Sequence, residues 1–196
     1  MRRILHLDLH FHPYKLQIVQ ELTAAHKALR VRFCQQMVHT HANLGRFLIV
    51  SDEAIFSLNG SVSKQNCRYW APTNPRQLHE APLHSPQVVV WFAISAQGII
   101  GPYFFEGDDG VSVTLNAEPY NHMLETFFLP EICRRNWNMA RAWFQQDGAT
   151  AHTARLSMNT LRSAFPRRLL SRFGDIHWPS NSPDLTAADF FFCGGI

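Results

Sequence analysis

AWFQQDGATAHTA, residues 142–154, decides the fold. An apolar and aromatic run ends in two glutamines and Asp147, turns at Gly148, and opens into RLSMNTLRSA at 155–164. Residues 140–147 read as a buried strand and residues 150–164 as a helix. Asp147-Gly148 is a turn pair between them. A strand that feeds directly into a helix is a building unit of an α/β sheet, and it leaves Asp147 at the end of the strand.

Working outward, FLIVSDEAIFSL (47–58) is rich in β-branched and aromatic residues and is followed by the turn signal Asn59-Gly60. QVVVWFAIS (87–95) reads as a buried strand, Gly98 turns the chain, and IIGPYFFE is its hairpin partner. Residues 71–86 hold Pro72, Pro75, Pro82 and Pro86 with little periodicity, so they read as a long loop. A helix over 117–135 turns Tyr120, Met123, Leu124, Phe127 and Phe128 inward. Residues 1–22 read as a lead-in, and a helix follows from Thr23 with Leu29, Phe33 and Met37 on one face. Residues 39–45 are a linker, DIHW (175–178) a short strand, and a last helix starts near Thr186. Hairpin strands followed by alternating helices and strands make an α/β fold, a mixed sheet flanked by helices.

The 196 residues suit one globular domain with a small appendage, and 46% of them are hydrophobic. No run of 18 or more apolar residues is present, so a membrane span is not expected. The start, MRRILHLDLHFH, lacks the unbroken apolar run of a secretion signal. Cys34, Cys67, Cys133 and Cys193 form no CxxC pair and read as reduced thiols. His6, His10, His12, His39 and His41 have no cysteine at a structural zinc spacing. The net charge of +3 is uneven. Residues 1–50 carry seven bases and two acids (+5), residues 51–130 three and eight (−5), and residues 131–196 eight and five (+3). An acidic middle between basic flanks suits a metal site beside a polyanion path, and ordinary surface charge has the same appearance.

Asp52, Asp147 and Asp189 fall where strand or helix ends share an edge, so the three carboxylates can converge although far apart in the chain. Mg²⁺ and similar hard cations want oxygen ligands, and two such ions serve phosphoryl transfer. Each acid also has a plain structural reading. Asp52 can end a strand in a turn beside an exposed Glu53. Asp147 precedes a glycine, and Asp189 lies three residues after Thr186, a capping-box spacing.

The words around these acids carry a resemblance. SDEAIF (51–56), the stretch from Gln65 to Ser95, GIIGPYFFE (98–106), FQQDGATAHTA (144–154) and HWPSNSPDLTAADFFF (177–192) together resemble the catalytic domain of mariner-type DNA transposases. The resemblance runs with short gaps from about His10 to Phe192. It implies a ribonuclease-H-like fold with catalytic and metal-binding acids at Asp52, Asp147 and Asp189, and two Mg²⁺ or Mn²⁺ ions. Glu53, His152 and Asp184 are secondary candidates, and His152 matches the histidine of the family's motif. Between Asp147 and Asp189 lie 41 residues (189 − 147 − 1), more than is usual in the family. The residues alone leave His152 open, either orienting a carboxylate or serving as a polar residue at a helix start.

The resemblance further implies a division at residue 45. Residues 1–45 correspond to the tail of a helix-turn-helix module and a linker helix, and residues 46–196 to a catalytic domain incomplete at its C-terminus. It implies cleavage of a DNA phosphodiester and transfer of the freed 3′-hydroxyl to target DNA, in the nucleus, by a homodimer paired partly through residues 67–86. Most of the family's DNA-reading modules precede the part matched, and the helix of the third acid ends early at Gly194-Gly195. Two readings follow: a metal-dependent DNA-processing core weakened by truncation, or a non-catalytic DNA-binding or pairing remnant. Asn181 stands where relatives often carry arginine. Arg155, Arg162, Arg167, Arg168 and Arg172 could follow a DNA backbone or simply face solvent. Trp70, Trp91, Trp137, Trp143 and Trp178 read as core or loop anchors.

Overall fold

The computed structural model describes residues 21–40, 44–57, 87–107, 112–186 and Ala188. The lead-in of residues 1–20, the Asn59-Gly60 turn, the loop at 71–86, Trp70, Cys67, Cys193 and Asp189 all lie outside the described residues.

The chain builds a six-stranded sheet in the order β3-β2-β1-β4-β5-β6. Strand β1 (Leu48–Ser57) pairs antiparallel with β2 (Gln87–Ser95), which pairs antiparallel with β3 (Gly98–Phe104). On its other side β1 pairs parallel with β4 (Trp143–Gln145). Strands β5 (Leu169–Ser171) and β6 (Ile176–His177) continue in parallel. The mixed sheet with helices on it is therefore as the residue pattern implies, and the hairpin of β2 and β3 is where the apolar runs placed it.

One face carries the main core. Helix α2 (Ala117–Met123), a π-helical turn (Leu124–Phe128) and α3 (Leu129–Arg134) run end to end over the span expected as one helix. Asn116 caps α2 by accepting from the Glu118 backbone N–H. Tyr120, Met123, Leu124 and Phe128 are fully buried, and Phe127 is packed against the same cluster. Trp91 meets Phe128 edge-on at 5.1 Å, and Phe144 stacks on Phe165 at 5.4 Å. Helices α4 (Thr150–Thr153) and α5 (Arg155–Ala164) complete this layer. The expected single helix of 150–164 breaks at Ala154, whose extended ψ of 144° ends one helix and starts the next.

The opposite face is covered at its β5–β6 end by α1 (Ala24–Thr40). Phe33 of α1 packs edge-on against Trp178 at 5.2 Å, and Met37 joins the same cluster, while Leu29 stays 39% exposed. Arg30 clasps Asp184 through both guanidinium nitrogens. Trp91, Trp137 and Trp178 are buried, as anchors of the core should be. Cys34 and Cys133 are free thiols at the surface. Among the described residues, no helix is long and apolar enough to cross a membrane.

Three differences from the sequence reading bear on the site. Strand β5 was not foreseen: Leu169, Leu170 and Ser171 are buried on both faces, so they show no alternation, and arginines flank them. Strand β4 is shorter than 140–147, because Met139 to Arg141 form a turn closed by the Arg141 N–H on the Asn138 carbonyl. Asp52 lies within β1 and not at its end, because β1 runs on beside β2 after β4 has stopped.

Candidate metal and phosphate site

The parallel register of β1 and β4 sets Val50 opposite Gln145. Two residues further along each chain stand Asp52 and Asp147, on the same side of the sheet by the alternation of strand side chains. Ligand sites of α/β sheets lie beyond the carboxyl ends of parallel strands. Here Asp147 follows β4, Arg172 follows β5 and Trp178 follows β6. These residues, with Asp52 and Gly148, line one open cavity of about 370 Å³. Residues 179–182 and Thr186 line it as well. The structure thus brings Asp52 and Asp147 together. Asp189 lies outside the described residues, and Ala188 beside it is buried against Val50 and Phe92 on the same face as Asp52.

The environment of Asp147 is built from α4. Its Oδ1 accepts from the Ala149 backbone N–H at 2.9 Å and from His152 Nδ1 at 2.5 Å. The other ring nitrogen of His152 donates to Glu53 Oε1 at 3.0 Å. A neutral imidazole can donate through one nitrogen only. With a carboxylate on each side and 1% of its side chain exposed, His152 is held as the imidazolium. Burial alone would lower its pKa, but the charge of Glu53 and the hydrogen bonds to Asp147 and Glu53 outweigh it and raise the value to about 10. Burial pushes the Asp147 carboxyl upward, yet the His152 hydrogen bond and charge and the Ala149 amide bring it below its ordinary value. Asp147 is therefore a carboxylate at neutral pH, and its side chain is still 46% exposed toward the cavity.

Behind this pair stands Gln146, which is fully buried. Its Oε1 accepts from the Tyr120 hydroxyl at 2.8 Å, and its Nε2 donates to the His152 carbonyl at 2.9 Å and to Ser171 Oγ at 3.1 Å. Burial, first, and the charge of Glu53 raise the Tyr120 phenol well above its ordinary pKa, so it stays a neutral donor. The network ties α2, α4 and β5 to the residue next to Asp147. No sequence motif singled out Gln146. The available signal was its place on the inward side of a strand whose outward neighbour is an acid.

The secondary candidates separate. Glu53 is half-buried and engaged with His152, not an exposed bystander. His152 orients a carboxylate, the first of its two open readings. Asp184 does not line the cavity; it is 62% exposed and pairs with Arg30, whose hydrogen bond and charge lower its pKa. Among the arginines, Arg162 donates to the Phe173 carbonyl and Arg168 to the carbonyls of Ala142 and Met139. Arg155 and Arg167 are exposed and away from the cavity, and only Arg172 of the five lines it.

The donor set suits a hard divalent cation. Asp carboxylates offer oxygen, Asp147 is held ionised, and the cavity is open to water. Among the described residues no third His, Cys, Asp or Glu completes a ligand group.

The electrostatics carry a pH dependence for the metal-free protein. The folded pKa of His152, about 10, exceeds its ordinary 6.5. Its stabilising contribution is complete below pH 6.5 and is lost as pH rises toward 10. Asp147, lowered from 3.8, contributes above that value and loses its contribution as pH falls through its folded pKa. In a chelating buffer the melting temperature should decline as pH is raised from 6.5 to 10. A flat alkaline limb would contradict the imidazolium assignment.

The sequence matches no protein-family model, and no curated protein matches it. Solved structures do. The mariner Mos1 paired end complex with Mg superposes with a TM-score of 0.71 at 17% identity, covering 98% of this chain and 58% of that one. The Mos1 strand transfer complex gives 0.70 at 18% identity, with coverages of 98% and 53%. The Mos1 catalytic domain alone gives 0.55 at 16% identity, with coverages of 91% and 73%. The chain spans about three fifths of the length of the transposase in the paired-end complexes. The chain therefore has the fold of the Mos1 mariner transposase catalytic domain, a ribonuclease-H-like mixed sheet flanked by helices.

Proposed function

We propose that the chain is the core of a mariner-type transposase that cleaves and joins DNA strands with divalent metal ions. The observation that carries this reading is the shared cavity of Asp52 and Asp147 at the carboxyl ends of the parallel strands. The fold supports it, and Mos1 complexes have been solved with transposon-end DNA, with Mg and with Mn. Asp189 is assigned as the third metal ligand by the resemblance. Division of the chain near residue 45, action in the nucleus and pairing of two copies belong to the same reading.

Asp52 and Asp147 would hold Mg²⁺ or Mn²⁺, with two ions expected. When bound, such ions lower the pKa of water and stabilise charge on the attacking and leaving oxygens of an in-line displacement. The chain's own residues do the positioning. His152 fixes Oδ1 of the Asp147 carboxylate, whose side chain stays 46% exposed. Short aspartate stems on β1 and after β4 keep the two carboxylates in register. Hydrolysis followed by attack of a 3′-hydroxyl needs no covalent bond between protein and DNA.

The test is nicking of supercoiled plasmid with Mn²⁺, with chelator as control. Wild type should nick, and Asp52→Asn should be slower by on the order of 10²–10³-fold, as for loss of one electrostatic group at a reacting centre. Nicking that survives Asp52→Asn would refute the assignment. DNA binding without nicking would leave the non-catalytic reading in its place.

A further inference from the structure

Arg172 follows β5 directly and is set by a tight turn. A Cβ at Gly174 would strike the Leu169 carbonyl oxygen and lie 2.8 Å from the Ser171 nitrogen, so this turn needs glycine. His177 Nδ1 donates to the Arg172 carbonyl at 2.8 Å and holds the backbone from the β6 side. The aliphatic stem passes beside Gly148, where a Cβ would sit 3.6 Å from Arg172 Cδ. Arg172 thereby lines the cavity together with Asp52 and Asp147.

Two features mark this arginine out. It is the only cation lining the cavity among the described residues. Among the described residues it also forms no ion pair, although two carboxylates share its cavity, and its charge centre lies 5.4 Å from the Phe173 ring centroid. Ser180, Asn181, Ser182 and Thr186, which also line the cavity, are neutral and polar. A phosphodiester entering the cavity meets two negative carboxylates. It needs a positive group that is not already neutralised, and a planar guanidinium offers paired donors to two phosphate oxygens.

We propose that Arg172 forms the phosphate subsite of this cavity and grips a DNA backbone phosphate beside the two carboxylates. This deepens the function proposed above and rests on it. Arg172 is a binding residue here, whereas Arg162 and Arg168 are occupied by main-chain carbonyls.

The test is fluorescence anisotropy of the full chain with a short labelled DNA duplex, in Ca²⁺ and over a series of salt concentrations. Arg172→Ala should weaken binding by about five- to tenfold and reduce the slope of log affinity against log salt by about 1. Arg172→Lys should recover part of the affinity, because it keeps the charge and loses the fork. Arg167→Ala, at an exposed site away from the cavity, should change binding less and supplies the reference for general loss of charge. The Arg172 side chain is exposed, so the variants should melt with wild type, and this is checked alongside. Equal effects of Arg172→Ala and Arg167→Ala, or no effect of either, would overturn the subsite alone. A wild type that binds no DNA would overturn both the subsite and the function on which it rests.

Discussion

His152→Ala should lower the stability of the chain by about 2–4 kcal/mol. The imidazolium is almost fully buried and joins two carboxylates, Asp147 at 2.5 Å and Glu53 at 3.0 Å. Removing it leaves two acids facing each other across a gap. Breaking a buried ion pair typically costs about 3–5 kcal/mol, because the surviving charge loses its partner. The lower figure applies because the Asp147 side chain is 46% exposed and can regain water, while Glu53 is 13% exposed and cannot do so as easily. Packing contributes as well, since the His152 ring lies 4.4 Å from the Tyr120 ring. Urea denaturation at pH 7 measures the loss. Glu53→Gln placed on top of His152→Ala should recover part of it, since the stranded charge is then gone. A loss below about 0.5 kcal/mol, the scale of an ordinary surface substitution, would show that the pair is not a buried connection.

Gln146→Leu should be destabilising by about 3 kcal/mol, from several orphaned polar groups at roughly 1–3 kcal/mol each, less what relaxation regains. The amide serves the Tyr120 hydroxyl, the His152 carbonyl and the Ser171 hydroxyl at once. Leucine fits the volume and matches none of these bonds. Buried networks lose most when only one member is removed. Glutamate at this site restores an acceptor for Tyr120 and loses the donor, so Gln146→Glu should not rescue the chain at neutral pH. Thermal melts of the two variants beside wild type decide this. A Gln146→Leu protein as stable as wild type would mean that the network carries no stability.

How far these features can be read from the chain differs from residue to residue. Asp147 was legible because its strand, turn and helix are contiguous, so local pattern is enough. The β2–β3 hairpin was legible for the same reason. Strand β5 was not, since three residues buried on both faces give no periodicity. The partner of His152 was not legible either. Glu53 is 99 residues away, and only the crossing of β1 beside the end of β4 brings it there. The five arginines look alike in the sequence. Carbonyl groups that appear only on folding occupy Arg162 and Arg168, and the β5–β6 turn carries Arg172 to the cavity. Asp184 looked like part of the acidic set because its motif lies close to the third acid. The fold gives it to Arg30 on α1 instead. Asp52 was found by type but misplaced as a strand end, because where a strand stops depends on the neighbour it pairs with.

Asp52 and Asp147 are proposed to form one divalent-metal site. Titration calorimetry of the purified chain with Mn²⁺, beside Asp147→Asn, tests it most directly. Asn keeps the shape of the side chain and removes its charge, and Asp147 is partly exposed, so the variant can be shown to fold before it is titrated. Wild type should bind Mn²⁺ saturably, and Asp147→Asn should lose that binding. A folded wild type that takes up no Mn²⁺, or a variant that binds it equally well, would contradict the claim.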